Sequence, residues 1–153
     1  MTQRIITKKE PERSLLVHLG KTGGRNNRGR ITMWQRGGGS RLLWRNITFG
    51  QVQMGQKGKV ATIEYDPNRN AFIMLVEYEN REKYYMLAPQ GIQVGDEIVC
   101  DEKTEVKSGN RMKLVNIPPG ENVYNIELEP GRGGTMARSA GTFATIAGHE
   151  GKY

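Results

Sequence analysis

Between Arg13 and Ile63 the chain holds ten Lys or Arg residues and no Asp or Glu, and the centre of this stretch reads Gly-Gly-Arg-Asn-Asn-Arg-Gly-Arg-Ile-Thr from Gly23 to Thr32. A segment this basic, rich in glycine and poor in large apolar side chains buries too little surface to offset the entropy of ordering itself. Residues 13–45 are therefore expected to be extended and to take their order from a polyanion, and RNA is the polyanion that fits.

The charge is unevenly divided. Residues 1–60 carry thirteen basic side chains against Glu10 and Glu12, a net +11, whereas residues 61–153 carry ten against fourteen acids, a net −4. The first part suits an arm laid along phosphates, the second a compact body. A 153-residue chain with such an arm leaves material for one small domain and a fragment of another.

Past the arm, apolar residues fall into short runs between turn residues. Lys59–Tyr65 alternates, with Val60, Thr62 and Glu64 on one side and Ala61, Ile63 and Tyr65 on the other; Ala71–Tyr78 is a continuous run of strand formers. Lys83–Ala88 and Glu97–Cys100 follow at a spacing of about ten residues, which points to an all-β barrel or sandwich. Met112–Ile117, Val123–Leu128 and Thr142–Ala147 read as further strands, and Pro118-Pro119-Gly120 marks a boundary, because it cannot lie within a central strand. Two strands beyond it are too few for an independent sheet.

Catalytic constellations are missing from the sequence. Gly20-Lys21-Thr22 has the end of a phosphate-binding loop, but Leu15 stands where that loop needs glycine. His18, His149 and Cys100 lack zinc-ligand spacing, and Cys100, inside a strand-like run, reads as a buried structural thiol. No enzyme is expected and no cofactor, apart from Mg2+ ions of surrounding RNA. No run reaches the roughly 20 apolar residues of a membrane span, so no membrane partner is expected. Arg30, Trp34, Arg36, Arg41, Trp44 and Arg45 instead alternate cations with aromatic rings, a pattern suited to phosphate contact and base stacking. Trp44 fits a cover over the barrel equally well. Arg69, at the tip of Asp66-Pro-Asn-Arg, and Arg138, in Met136–Gly141, sit in tight loops where a guanidinium can approach a phosphate, with a plain surface arginine as the equal alternative.

Seven motifs together carry a resemblance. Gly23–Thr32, Arg36–Gly39, Glu64–Arg69, Leu87–Pro89, Asn116–Pro118, Asn125–Glu127 and Gly133–Gly141 resemble, in order and spacing, those of the large-subunit ribosomal protein family L-two. The resemblance implies a basic extension over 1–58, an OB-fold over 59–119 and the first strands of an SH3-like barrel over 120–153. It implies a structural constituent of the large ribosomal subunit that binds rRNA near the peptidyl-transferase centre and contacts other ribosomal proteins. A free OB-fold single-strand RNA-binding or translation-factor-like protein is the rival. The expected RNA-binding set is Lys21, Arg25, Asn26, Asn27, Arg28, Arg30, Trp34, Arg36, Arg41, Arg45, Arg69, Arg132 and Arg138, with Arg69 and Arg138 carried over from the family's RNA-contacting arginines. The sequence departs from the family by ending at Tyr153, where members run on with a basic tail, and by lacking the usual Lys/Arg-rich stretch between Thr48 and Lys59. This implies an organelle-encoded N-terminal half in a mitochondrial or, alternatively, plastid ribosome, with a separate chain carrying the C-terminal half.

Overall fold

The computed structural model describes residues 6–8, 10–37 and 43–149. The described residues form eight strands and two 3-10 turns, so the expected all-β class is the one adopted. The strands are β1 (Leu16–His18), β2 (Leu43–Arg45), β3 (Lys57–Glu64), β4 (Ile73–Tyr78), β5 (Lys83–Leu87), β6 (Glu97–Val99), β7 (Asn122–Val123) and β8 (Ala144–Thr145). The central sheet has the order β5-β4-β3-β6, antiparallel throughout, and single parallel bridges add Ile47 beside Tyr85 and Arg111 beside Cys100. A meander with a returning strand and such bridges is consistent with an OB-fold barrel; β7 and β8 then begin a second, smaller ladder.

The continuous apolar run of β4 is explained by burial on both faces. Met74, Val76 and Tyr78 pack with Val52, Val60, Ile63, Met86 and Ile98, while Ile73 and Leu75 pack with Ile47 and Tyr85 on the other side. The strict alternation expected of β3 fails at a bulge between Val60 and Thr62, where the register slips by one residue against β4. A slip of one reverses every following side chain. Ile63 thereby joins the Val60 cluster, and Glu64 turns inward opposite Ile73, 2 % exposed, where its carboxylate accepts hydrogen bonds from Tyr85 Oη and Thr62 Oγ1.

Two other expectations are corrected. Met112–Ile117 is not a strand: Leu114–Asn116 makes a single 3-10 turn between extended caps at Lys113 and Ile117. Of the expected strand Val123–Leu128 only Val123 pairs in a ladder, as the end of β7, with a lone bridge from Ile126 to Met136 further on. The arm is also more anchored than its composition implied. Leu15 packs beside Ile47 and Tyr85, β1 pairs with β2, and the Glu12 N–H donates to Tyr85 Oη at 2.7 Å while Lys83 ion-pairs with Glu12 at 3.2 Å. Backbone pairing and a few apolar anchors at its two ends hold what the interior of the arm could not.

Candidate nucleic-acid interface

Between β1 and β2 the arm becomes a basic loop. The buried Gly24 carbonyl accepts the N–H groups of Thr32 and Met33 at 3.0 and 3.1 Å, and Gly24, at φ +76°, has no room for a side chain against Met33. Inside this closure Asn26 Oδ1 accepts the N–H groups of Arg28 and Arg30, each at 3.0 Å, a tight turn built by an asparagine side chain. Asn26 thus shapes the loop. Lys21, Arg25, Asn27, Arg28, Arg30, Trp34 and Arg36 are all exposed on it, and the Trp34 ring is 76 % exposed. Lys21 and Arg36 flank a shallow pocket floored by Gly23 and Gly24. Arg41 lies outside the described residues.

A second cluster forms where the Asp66-Pro67-Asn68-Arg69 turn meets β2. Asp66 is fully buried; its Oδ1 accepts the backbone and side-chain N–H groups of Asn68, and its Oδ2 accepts Arg69 Nε at 2.7 Å. Asn68 Nδ2 also donates to the Leu43 carbonyl, tying the turn to β2. The expectation that Arg45 contacts RNA is corrected here. Arg45 is 8 % exposed, with Nη1 3.7 Å from Asp66 Oδ1 and donating to the Leu43 carbonyl, so its charge is held inside to neutralise a buried carboxylate. Arg69 is held differently. Its guanidinium lies 5.5 Å from the Trp44 ring centre and 5.7 Å from that of Phe49, its Nε on Asp66, while Nη1 and Nη2 have no hydrogen-bond partner among the described residues. Trp44, itself 39 % exposed, thus backs Arg69 from β2.

Arg138 reaches the same place from the far end of the chain. Its guanidinium lies 4.6 Å from the Phe49 ring centre, and its Nη1 donates to the Gly134 carbonyl at 3.4 Å. The approach depends on a close backbone crossing. Gly134 N–H and Asn125 Nδ2 both donate to the Phe49 carbonyl, at 2.8 and 3.2 Å, and a side chain on Gly134 would fall 2.6 Å from the Asn125 carbonyl oxygen. Ala140 N–H donates to Asn70 Oδ1 at 3.3 Å, and Arg111 pairs with Glu127 at 2.5 Å, so the junction is bonded on several sides. Arg45 and Arg69 thus share the single carboxylate of Asp66, while Arg138 joins Arg69 at the Phe49 ring.

Arg132 is exposed and forms a surface pair with Glu129 at 2.8 Å. His149 Nε2 lies 2.8 Å from the Ile117 carbonyl, and Cys100 is buried, with burial pushing its thiol pKa up, as befits an inert thiol. Among the described residues no group of three or more His, Cys, Asp or Glu could hold a metal ion, and no helix is long and apolar enough to cross a membrane. Phe49, Asp66, Asn125 and Gly134 organise the junction and were not among the expected site residues. Asp66, Asn125 and Gly134 lie within the motifs Glu64–Arg69, Asn125–Glu127 and Gly133–Gly141, whereas Phe49 lies in none of them.

Residues 12–100 match the family model described as Ribosomal Proteins L2, RNA binding N-terminal domain, and residues 107–153 match that described as Ribosomal Proteins L2, C-terminal domain. Both domains therefore occur in this one polypeptide, and a separate chain supplying the C-terminal half has no support from the matches.

Proposed function

We propose, for a chain that belongs to the ribosomal protein L2 family and so is an RNA-binding protein of the large ribosomal subunit, that it grips large-subunit rRNA with two surfaces and thereby organises RNA near the peptidyl-transferase centre. The first surface is the loop over 20–37. There Lys21, Arg25, Arg28, Arg30 and Arg36 track phosphates, Asn27 reaches sugar or base edges, and Trp34 stacks on an unpaired base. The second is the junction, where Arg69 and Arg138 contact phosphates and Arg132 lies at the margin. The family's structural, RNA-organising role accords with this reading, alongside other ribosomal proteins, and it holds for a mitochondrial, plastid or cytosolic ribosome alike.

One observation carries the proposal: Arg69 and Arg138, from opposite halves of the chain, converge on Phe49. Isolated surface arginines have no reason to meet on one ring between two chain segments, whereas a phosphate site has. Binding of the full chain to large-subunit rRNA tests it. Arg69→Ala and Arg138→Ala are each expected to weaken binding by about 1 to 3 kcal/mol at near-physiological salt, the value of a charge-assisted contact. Unchanged affinity in both variants removes the junction from the site. Backbone footprinting on assembled subunits decides the location, and protection confined to RNA remote from the peptidyl-transferase centre defeats that part.

A further inference from the structure

We infer that Phe49 is the positioning residue of the junction: one aromatic ring presets Arg69 and Arg138 as a pair, and the pair grips a phosphate of the RNA backbone. This rests on the reading of both arginines as RNA contacts.

The ring is itself fixed before any ligand arrives. Its residue packs against the cluster of Ile47, Ile73, Leu75 and Tyr85, and its carbonyl accepts hydrogen bonds from Gly134 N–H and Asn125 Nδ2. Each guanidinium lies within cation–π range, at 5.7 Å for Arg69 and 4.6 Å for Arg138. A guanidinium attracted to a ring through its flat face keeps N–H edges for oxygen acceptors. Arg69 is further held by Asp66 through Nε, which leaves Nη1 and Nη2 without a partner among the described residues. A free arginine loses rotamer freedom when it binds, and holding it beforehand removes that cost.

Charge identifies the occupant. Two guanidinium groups on one ring repel each other, and the buried Asp66 touches only one of them. An anion accepting from both relieves the repulsion; a neutral base does not. The site thus calls for a phosphate. Because one arginine comes from the Asp66–Arg69 turn and the other from the Gly133–Gly141 loop, the bound phosphate also fastens these two parts of the chain together.

Binding of the full chain to large-subunit rRNA, measured across a range of salt, tests the role. Phe49→Leu keeps an apolar side chain but no π face. It is expected to weaken binding about tenfold and to flatten the slope of log K against log salt by about one phosphate contact, with Phe49→Tyr restoring both. Phe49→Leu added to Arg138→Ala is expected to cost less than the sum of the two single losses, because only the hold on Arg69 then remains to be lost. A native salt slope in Phe49→Leu, no restoration by Phe49→Tyr, or fully additive losses overturns the inference and leaves Phe49 as packing. The unaltered free protein supplies a measurement independent of any variant: ring current should shift the Arg138 δ-methylene protons upfield. Random-coil shifts there overturn the inference even if Phe49→Leu fails to fold. Unchanged RNA affinity in Arg69→Ala and Arg138→Ala, with the ring shift present, instead sinks the RNA reading on which the inference rests.

Discussion

Tyr85 donates its hydroxyl hydrogen to Glu64 Oε2 at 2.7 Å, with both side chains buried, and Tyr85 Oη in turn accepts the Glu12 N–H at 2.7 Å. One phenol therefore joins the bulged end of β3, the third strand of the meander and the root of the basic arm. Burial, with the Glu64 carboxylate beside it, pushes the Tyr85 pKa well up, so the hydroxyl stays protonated and available as a donor at neutral pH.

Tyr85→Phe removes that donor and acceptor together. Glu64 keeps the Thr62 hydroxyl at 2.8 Å, but its Oε2 is left without a donor among the described residues. A loss of about 1 to 3 kcal/mol is expected from an unsatisfied buried group, read by urea denaturation. Faster amide exchange at Glu12 should accompany it, and a neutral result would show that water reaches Glu64.

Asp66→Ala leaves Arg45 buried without its carboxylate and releases Arg69. Breaking a buried pair by removing one partner costs about 3 to 5 kcal/mol. Arg132→Ala, whose pair with Glu129 is about two-thirds exposed on both sides, should change stability by no more than about 0.5 kcal/mol. Denaturation midpoints of the two variants compare them directly, and equal effects would contradict the burial argument.

Amide exchange separates the anchored ends of the arm from its loop. Asn46 N–H, bonded to the Leu15 carbonyl at 2.9 Å, and the β1–β2 ladder should exchange far more slowly than residues 34–37 in free protein. Bound rRNA should then slow the loop. Equal rates in ladder and loop without RNA would return the arm to the wholly extended state expected from composition.

How much of this was legible in the sequence depends on whether the signal is local. β4 was legible because Ile73–Tyr78 is apolar at every position but Glu77, as a strand buried on both faces must be. The bulge beside Ala61 was not: it changes register without changing composition, and so Glu64 was read onto the wrong face. Met112–Ile117 has strand-like residues, but its neighbour Pro118 and its single turn at Leu114–Asn116 leave no partner strand. Arg45 was read as part of the basic run because its partner, Asp66, lies beyond the acid-free segment. Phe49 lies between Ile47 and Val52 in a stretch with no strand pattern of its own, and its role arises only when the chain brings Gly133 and Gly134 back against it.

Alkaline pH should unfold the protein earlier than its charge alone would. Burial raises the Tyr78 pKa to about 12, with Cys100 and Tyr84 adding to the shift, and burial raises Tyr124 to about 12 against the opposing pull of Arg111; Tyr85 and Cys100 are also raised. Groups whose folded pKa is raised hold their protons more tightly in the fold. Their stabilisation is full below the unfolded values, 9.0 for Cys100 and 10.0 for the tyrosines, and is lost as pH climbs toward the folded ones. Denaturation midpoints should therefore be flat with respect to these groups below about pH 9 and fall above it. Phenolate absorbance in the folded protein should show three tyrosines lagging; all tyrosines titrating together near 10 would refute the assignment.

Gly134→Ala tests the crossing that brings the two halves of the junction together. The added methyl would fall 2.6 Å from the Asn125 carbonyl oxygen and still closer to the Asn125 side chain, and backbone on both sides must move to admit it. Moving it breaks the bonds from Gly134 N–H and Asn125 Nδ2 to the Phe49 carbonyl, at 2.8 and 3.2 Å. Arg138, four residues on and itself bonded to the Gly134 carbonyl, is then drawn off the Phe49 ring. The barrel core of Val60, Met74, Val76 and Ile98 lies apart from this crossing and should survive. The expected result is a folded barrel with native β4 amide protection, an Arg138 that has lost its ring contact, and rRNA affinity lowered about as far as in Arg138→Ala, by about 1 to 3 kcal/mol. Full rRNA affinity in Gly134→Ala, with Arg138 displaced, would mean that the arginine binds RNA without the junction to hold it.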